Sequence, residues 1–193
     1  MTELNKEKLF FFYENCSNVI ITPMSLEHGY LAILNDDLKT AGRIFSQNDS
    51  PRGNWGNSLV TILEGFMTIC PSFFQIRNFL EIDIDFLLKN NKIGYVEQFL
   101  GALDILSAVN NETFKFTARV MLVNNLYTAA LKYMDRSKAL YYNDPELHFM
   151  YAKFYYDKHM YDKAYSSICE CLELLPEYYP AMLIKQKIEE LNI

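Results

Sequence analysis

Apolar residues recur at helical spacing through most of the chain, most clearly from Pro145 to Tyr178. There Phe149, Ala152, Tyr155 and Tyr156 describe one helical face, and Asp157-Lys158-His159-Met160 interrupts it. Tyr161, Ala164, Tyr165, Ile168, Cys171, Leu172 and Leu175 then resume the pattern. The spacing predicts two short helices packed antiparallel. Asp144-Pro145-Glu146 supplies an N-cap, a proline where no N–H is needed, and a carboxylate at the positive end of the helix dipole. Pro176 stops the second helix, because its ring and missing N–H break one. Ala152 and Ala164 are small enough to let the two backbones approach closely.

The same pattern recurs at an even step towards the N-terminus. Ala164 maps onto Ala130 and Val96, Ala152 onto Ala118 and Ile84, and Ile168 onto Met134 and Leu100. Tyr161 maps onto Tyr127 and Ile93, and Tyr155 onto Met121 and Leu87. Every landing is apolar, which predicts in-phase hairpins over 77–110, 111–144 and 145–178. A further unit over 22–50 carries Gly29, Leu38, Ala41 and Phe45 in the same relative positions, with Asn35-Asp36-Asp37 as its turn. Ala41 and Val96 are equivalent positions but stand much further apart than one step, so residues 51–76 form an insertion. It opens on Asp49-Ser50-Pro51-Arg52-Gly53-Asn54, which reads as a loop, and continues through Trp55 into one extra helix over 56–70. An extra helix breaks the two-helix rhythm and predicts a groove or self-association surface at the junction.

Leu80 to Phe86 alternates with period two, which by itself suggests a strand. Its length, its lack of partner strands and its place in the frame predict helix over Phe73 to Lys89 instead, with Glu81, Asp83 and Asp85 on a solvated acidic face. A first helix is expected over 4–15, with Thr22-Pro23 capping the next, and one helix over 92–107 follows the Asn90-Asn91 turn. Tyr179-Pro180 opens a last helix to Leu191, whose Lys185, Gln186, Glu189 and Glu190 suit an open stack end over 179–193.

The hairpin at 145–178 resembles the tetratricopeptide repeat, a helical pair with small residues at the helix contacts and a closing proline. Ala152, Ala164 and Pro176 match it, while His148 replaces the first aromatic and Tyr151 the leucine. The unit from residue 77 lacks both alanines and is only similar to the repeat. The resemblance implies an all-α fold, a right-handed α-α superhelix of such hairpins with about eleven helices, in a single domain over 1–193. It also implies protein binding, since members of the family hold peptides in a concave groove lined by the first helix of each pair. The groove positions fall here on Glu81, Asp85 and Leu88, then on Lys115, Arg119 and Leu122, then on Phe149, Lys153 and Tyr156. The second and third of these sets form the expected peptide-binding groove. Three cations there suit an acidic segment or a C-terminal carboxylate, with Phe149 and Tyr156 packing on neighbouring apolar residues.

Composition narrows the function. A net charge of −6 and a pI near 5.1 argue against nucleic acid and anionic membranes, which demand clustered Lys and Arg. Half the residues are hydrophobic and only seven are Gly, as a compact helical chain requires. Cys16, Cys70, Cys169 and Cys171 are too sparse for a disulfide scaffold and read as free thiols. The N-terminus carries both charges before a brief apolar run, unlike a secretory signal, so a cytoplasmic setting is expected. His28, His148 and His159 stand in no metal-binding motif, and no phosphate loop, nucleophile elbow or dinucleotide fingerprint occurs. No cofactor and no catalysis are expected. The chain reads as a non-enzymatic adaptor or co-chaperone. A small secretion chaperone with a dedicated client and an accessory subunit of a larger assembly are the alternatives, and self-association stays open.

Overall fold

A computed structural model describes residues 25–65 and 71–191. The helix expected over 4–15 and the Thr22-Pro23 cap lie outside the described residues. The described residues form eleven helices and no strand. In chain order they are α1 Leu26–Leu34, α2 Leu38–Ser46, α3 Pro51–Leu63, α4 Phe73–Lys89, α5 Ile93–Gly101 and α6 Leu103–Val109. They continue as α7 Thr113–Val123, α8 Tyr127–Leu140, α9 Pro145–Asp157, α10 Tyr161–Leu174 and α11 Tyr179–Glu190. None is long and apolar enough to cross a membrane.

One turn is used four times. It joins α1 to α2, α4 to α5, α7 to α8, and α9 to α10, and the middle residue of each connection is left-handed. These middle residues are Asp36, Asn91, Asn125 and His159, with φ of 61°, 55°, 61° and 58°. The next residue donates its N–H to a carbonyl in the last turn of the first helix: Asp37 to Ala32, Lys92 to Leu87, Leu126 to Met121 and Met160 to Tyr155, at 2.8–2.9 Å. This is the Schellman closure, which satisfies the orphan carbonyls of the first helix and reverses the chain. Asn and Asp tolerate the left-handed region better than other side chains, which explains three of the four residues. The turns at Asn91, Asn125 and His159 are evenly spaced along the chain, whereas Asp36 precedes Asn91 by a much longer interval.

Contacts divide the chain into two compact units, one ending at Asn110 and one beginning at Asn111. In the first, α3 packs against α1, α2, α4 and α5. Its start corrects the expected loop at 49–54. Ser50 is an N-cap whose hydroxyl accepts from Gly53 N–H, and Pro51 is the first helical residue. Phe45 of α2 is fully buried between two glycines. A Cβ on Gly29 of α1 would stand 2.6 Å from its ring, and one on Gly56 of α3 2.5 Å, so only glycine admits both helices. The segment over Phe73 to Lys89 is helix despite its alternation. The helix expected over 92–107 breaks into α5 and α6 at Ala102.

Asp83 differs from its expected place on a solvated face. It is fully buried and accepts hydrogen bonds from Trp55 Nε1, the Arg52 guanidinium and, at 3.3 Å, the Tyr30 hydroxyl. Arg52 itself lies between the Tyr30 and Phe79 rings, 4.9 and 4.6 Å from their centroids. Burial pushes the Asp83 pKa up against the opposing charge of Arg52. Burial and then the Asp83 charge push the Tyr30 phenol up as well. This polar knot joins α1, α3 and α4.

In the second unit α7 pairs with α8 and α9 with α10, α8 packs on α9, and α11 covers α9 and α10. Ala118, Ala130, Ala152 and Ala164 are all fully buried, and the last two share a core with Ile168, Cys171, Ala181 and Ile188. Such close contacts have no room for larger side chains. Beside its polar residues α11 exposes Tyr179, Met182 and Leu183.

Candidate functional site

The six residues expected to line a groove sit on α7 and α9, the first helices of the two hairpins in the second unit. Lys115 departs from the expectation. Its side chain is 4% exposed, and its ammonium lies 2.7 Å from Glu112, 2.7 Å from Asp144 and 3.1 Å from Glu146. Burial works against this cation, but the hydrogen bonds it donates to Asp144 and Glu112 outweigh it and its pKa is raised. Asp144 meanwhile caps α9, its Oδ1 accepting from the N–H groups of Glu146 and Leu147. Lys115 is therefore a strut between the starts of α7 and α9, enclosed by the chain's own acids.

Arg119 stands one turn further along α7 and pairs with Glu146, with both side chains about one-third exposed. Its guanidinium also lies 5.4 Å from the Phe116 centroid. Lys153, well exposed, pairs with Asp157 at 2.9 Å on its own helix. The three expected cations thus all meet carboxylates of this chain, and the structure joins Lys115 and Arg119 through Glu146. Leu122, Phe149 and Tyr156 are half-buried. Phe149 meets the Tyr178 ring edge to face at 5.2 Å, and Tyr156 meets Tyr161 at 5.8 Å. Burial, and next the charge of Glu146, raise the Tyr178 pKa, which puts this phenol in the field of the same acids.

Glu146 and Tyr178 were not among the expected groove residues. Asp144-Pro145-Glu146 reads from sequence only as a helix start, and nothing local says that its acids reach back to α7. The repeat frame holds a faint signal, since Glu112 and Glu146 occupy the same position in successive hairpins.

His148, in the place of the family's first aromatic, is fully buried. Its Nε2 lies 2.8 Å from the Tyr142 carbonyl, and its Nδ1 lies 2.7 Å from Glu170 Oε2 without the alignment of a hydrogen bond. It ties α9 to the loop before it. No group of His, Cys, Asp and Glu among the described residues could hold a metal ion. Cys169 and Cys171 are free, and burial, followed by the Asp144 charge, pushes the Cys171 thiol up to about 11.

No family model matches the chain, and no curated protein matches it. Among solved structures it is similar to a chain in the crystal structure of the APC/C hetero-tetramer Cut9-Hcn1, at 15% identity and a TM-score of 0.38. The match covers 95% of this chain and 46% of that one. A likeness at that score speaks neither to partner nor to activity. The recurring turn and the buried small residues carry the description of the fold. The chain is a set of helical hairpins joined by one recurring turn.

Proposed function

We propose that this chain is a non-enzymatic interaction module, an adaptor or co-chaperone, that holds a peptide segment of a partner protein against the first helices of its C-terminal hairpins. The observation that carries the reading is the row formed by Arg119, Leu122, Phe149 and Tyr156. These side chains remain partly exposed along α7 and α9. Lys115, one turn before Arg119 on α7, shares its partner Glu146. The strongly shifted titratable groups, Tyr30, Lys115, Tyr151 and Cys171, have structural roles in burial, caps or ion pairs, which suits a scaffold. A cytoplasmic setting keeps the thiols of Cys169 and Cys171 reduced.

Photo-crosslinking tests the proposal. A benzophenone amino acid is placed at Leu122 or Tyr156, or at Lys132 on the exposed side of α8, and adducts formed in an extract of the source cells are identified by mass spectrometry. The expected result is one partner captured from 122 and 156 and not from 132. Capture of the same partner from 132 alone would move the site off this face, and capture from none would remove the reading.

A further inference from the structure

We infer that the groove between the end of α10 and α11 seats an amphipathic helix of a partner protein, basic where it meets Glu189 and apolar two turns later, where it lies on Leu172 and Met182. The groove shares no residue with the row on α7 and α9, and the inference does not depend on that row.

α11 starts one step of the repeat after α9, and its buried Ala181 and Ile188 stand where Leu147 and Phe154 are buried in α9. In the hairpin of α9 a neighbouring face is covered by α10. Glu170 of α10 lies 3.3 Å from the Lys138 ammonium and 2.7 Å from His148 Nδ1. The Tyr142 and Tyr151 rings close around that ammonium, with centroids 5.0 and 5.5 Å away. Lys163 stands 5.6 Å from the Tyr155 centroid, and Ala152 is packed in one core with Ala164 and Ile168. Advanced by one step, Lys138, Tyr142, His148, Tyr151, Ala152 and Tyr155 become Leu172, Pro176, Met182, Lys185, Gln186 and Glu189. All six of these line one groove of about 380 Å³. The seat that α10 fills in its own hairpin is therefore repeated, open, on the next layer, and its form is that of a seat for one helix.

The exchanged residues set what that helix carries. Where Glu170 meets an ammonium and an imidazole, the open seat offers Leu172 and Met182, and Met182 is 47% exposed. A carboxylate there would lose water and gain no donor, so an apolar side chain is selected. Where Lys163 meets only the Tyr155 ring, the open seat offers the Glu189 carboxylate. Among the described residues Glu189 is met by the Tyr165 hydroxyl at 3.4 Å and by no cation, because Lys185 turns its ammonium to the Tyr165 ring, 5.6 Å from the centroid. A Lys or Arg at that place gains an ion pair in addition to its packing. Gln186 in place of the fully buried Ala152 takes up room, so the incoming helix carries a small residue opposite it, as α10 does with Ala164. The α10 of a second copy does not qualify, since it is packed in its own hairpin and has Glu170 where the apolar residue belongs.

The test uses the sequence of α10 itself as probe: a stapled helical peptide of Tyr161–Leu174, fluorescein-labelled, with both cysteines replaced by alanine and carrying Glu170→Leu, titrated against the full chain by anisotropy. It is expected to bind, and the same peptide with Glu170 kept should bind at least about tenfold more weakly. Met182→Lys in the protein should weaken binding by about tenfold while leaving the helical signal unchanged, as an exposed position allows. Glu189→Lys should weaken it by about fivefold, and Lys163→Glu in the peptide should restore it. Leu122→Ala, in the row on α7 and α9, should have no effect. Absence of binding, equal binding of the leucine and glutamate forms, indifference to Met182→Lys or failure of the charge exchange to restore affinity would overturn the inference. Loss of binding with Leu122→Ala would overturn it too, by placing the peptide on the other face. Self-association in sedimentation that Met182→Lys abolishes would make the occupant a second copy and overturn the assignment to a partner.

Discussion

The ammonium of Lys115 and the N-cap carboxylate of Asp144 lie 2.7 Å apart, so a cation from one hairpin neutralises the residue that starts the next. Asp144 thereby does two things at once: it satisfies backbone donors of α9 and anchors α7.

Removing the cation should unfold the unit more readily than removing any peptide-facing residue. Lys115→Met would leave three acids together, one of them buried, and is expected to cost about 3–5 kcal/mol. Arg119→Met breaks a pair that is about one-third exposed and should cost under about 1 kcal/mol. Urea midpoints of the two variants check this. Equal midpoints would show that Lys115 is not held as described.

Stability should fall at alkaline pH. Lys115, Tyr30, Tyr151 and Cys171 all have raised pKa values in the folded chain. A raised folded pKa contributes stability that is present below the unfolded pKa and lost as pH rises above it. Cys171 leads, between its unfolded value near 8.5 and about 11 when folded, and the tyrosines and Lys115 follow from about pH 10. Urea midpoints measured from neutral pH upward should decline from about pH 8.5. Cys171→Ala should delay the onset toward about pH 10, and a midpoint constant across the range would contradict the assignment.

The glycine contacts of Phe45 predict a reversal of sign. Gly→Ala inside a helix ordinarily stabilises by up to about 1 kcal/mol. Gly56→Ala should instead destabilise by about 1–3 kcal/mol, because its Cβ would overlap the Phe45 ring. Phe45→Leu in the same chain should recover part of that loss, and a double-mutant cycle from thermal melts measures the coupling. A stabilised Gly56→Ala would mean that α2 and α3 stand further apart.

What could be read from the sequence depended on how local its cause was. The turns at Asp36, Asn91 and His159 follow from punctuation between apolar runs, and Ala152 and Ala164 announce a close helix contact by their size. Helix over Phe73 to Lys89 could be argued from length against its own alternation. The places of Lys115 and Asp83 could not, because their partners Asp144 and Trp55 are remote in the chain. A periodic pattern marks which face a residue occupies and is silent about whether a charge on that face has been answered from another helix. Pro51 was obscured differently: Ser-Pro before Gly and Asn has the composition of a loop, yet Ser50 and Pro51 are also a helix cap and first residue.

The long interval between the turns at Asp36 and Asn91 has an engineering meaning. Cutting the insertion out to restore an even rhythm would not give a tidier repeat protein. It would delete Arg52 and Trp55, leaving Asp83 buried with Tyr30 alone, and would strip Phe45 of the helix that covers it. The segment that looks like an interruption of the pattern is the part its neighbours can least do without.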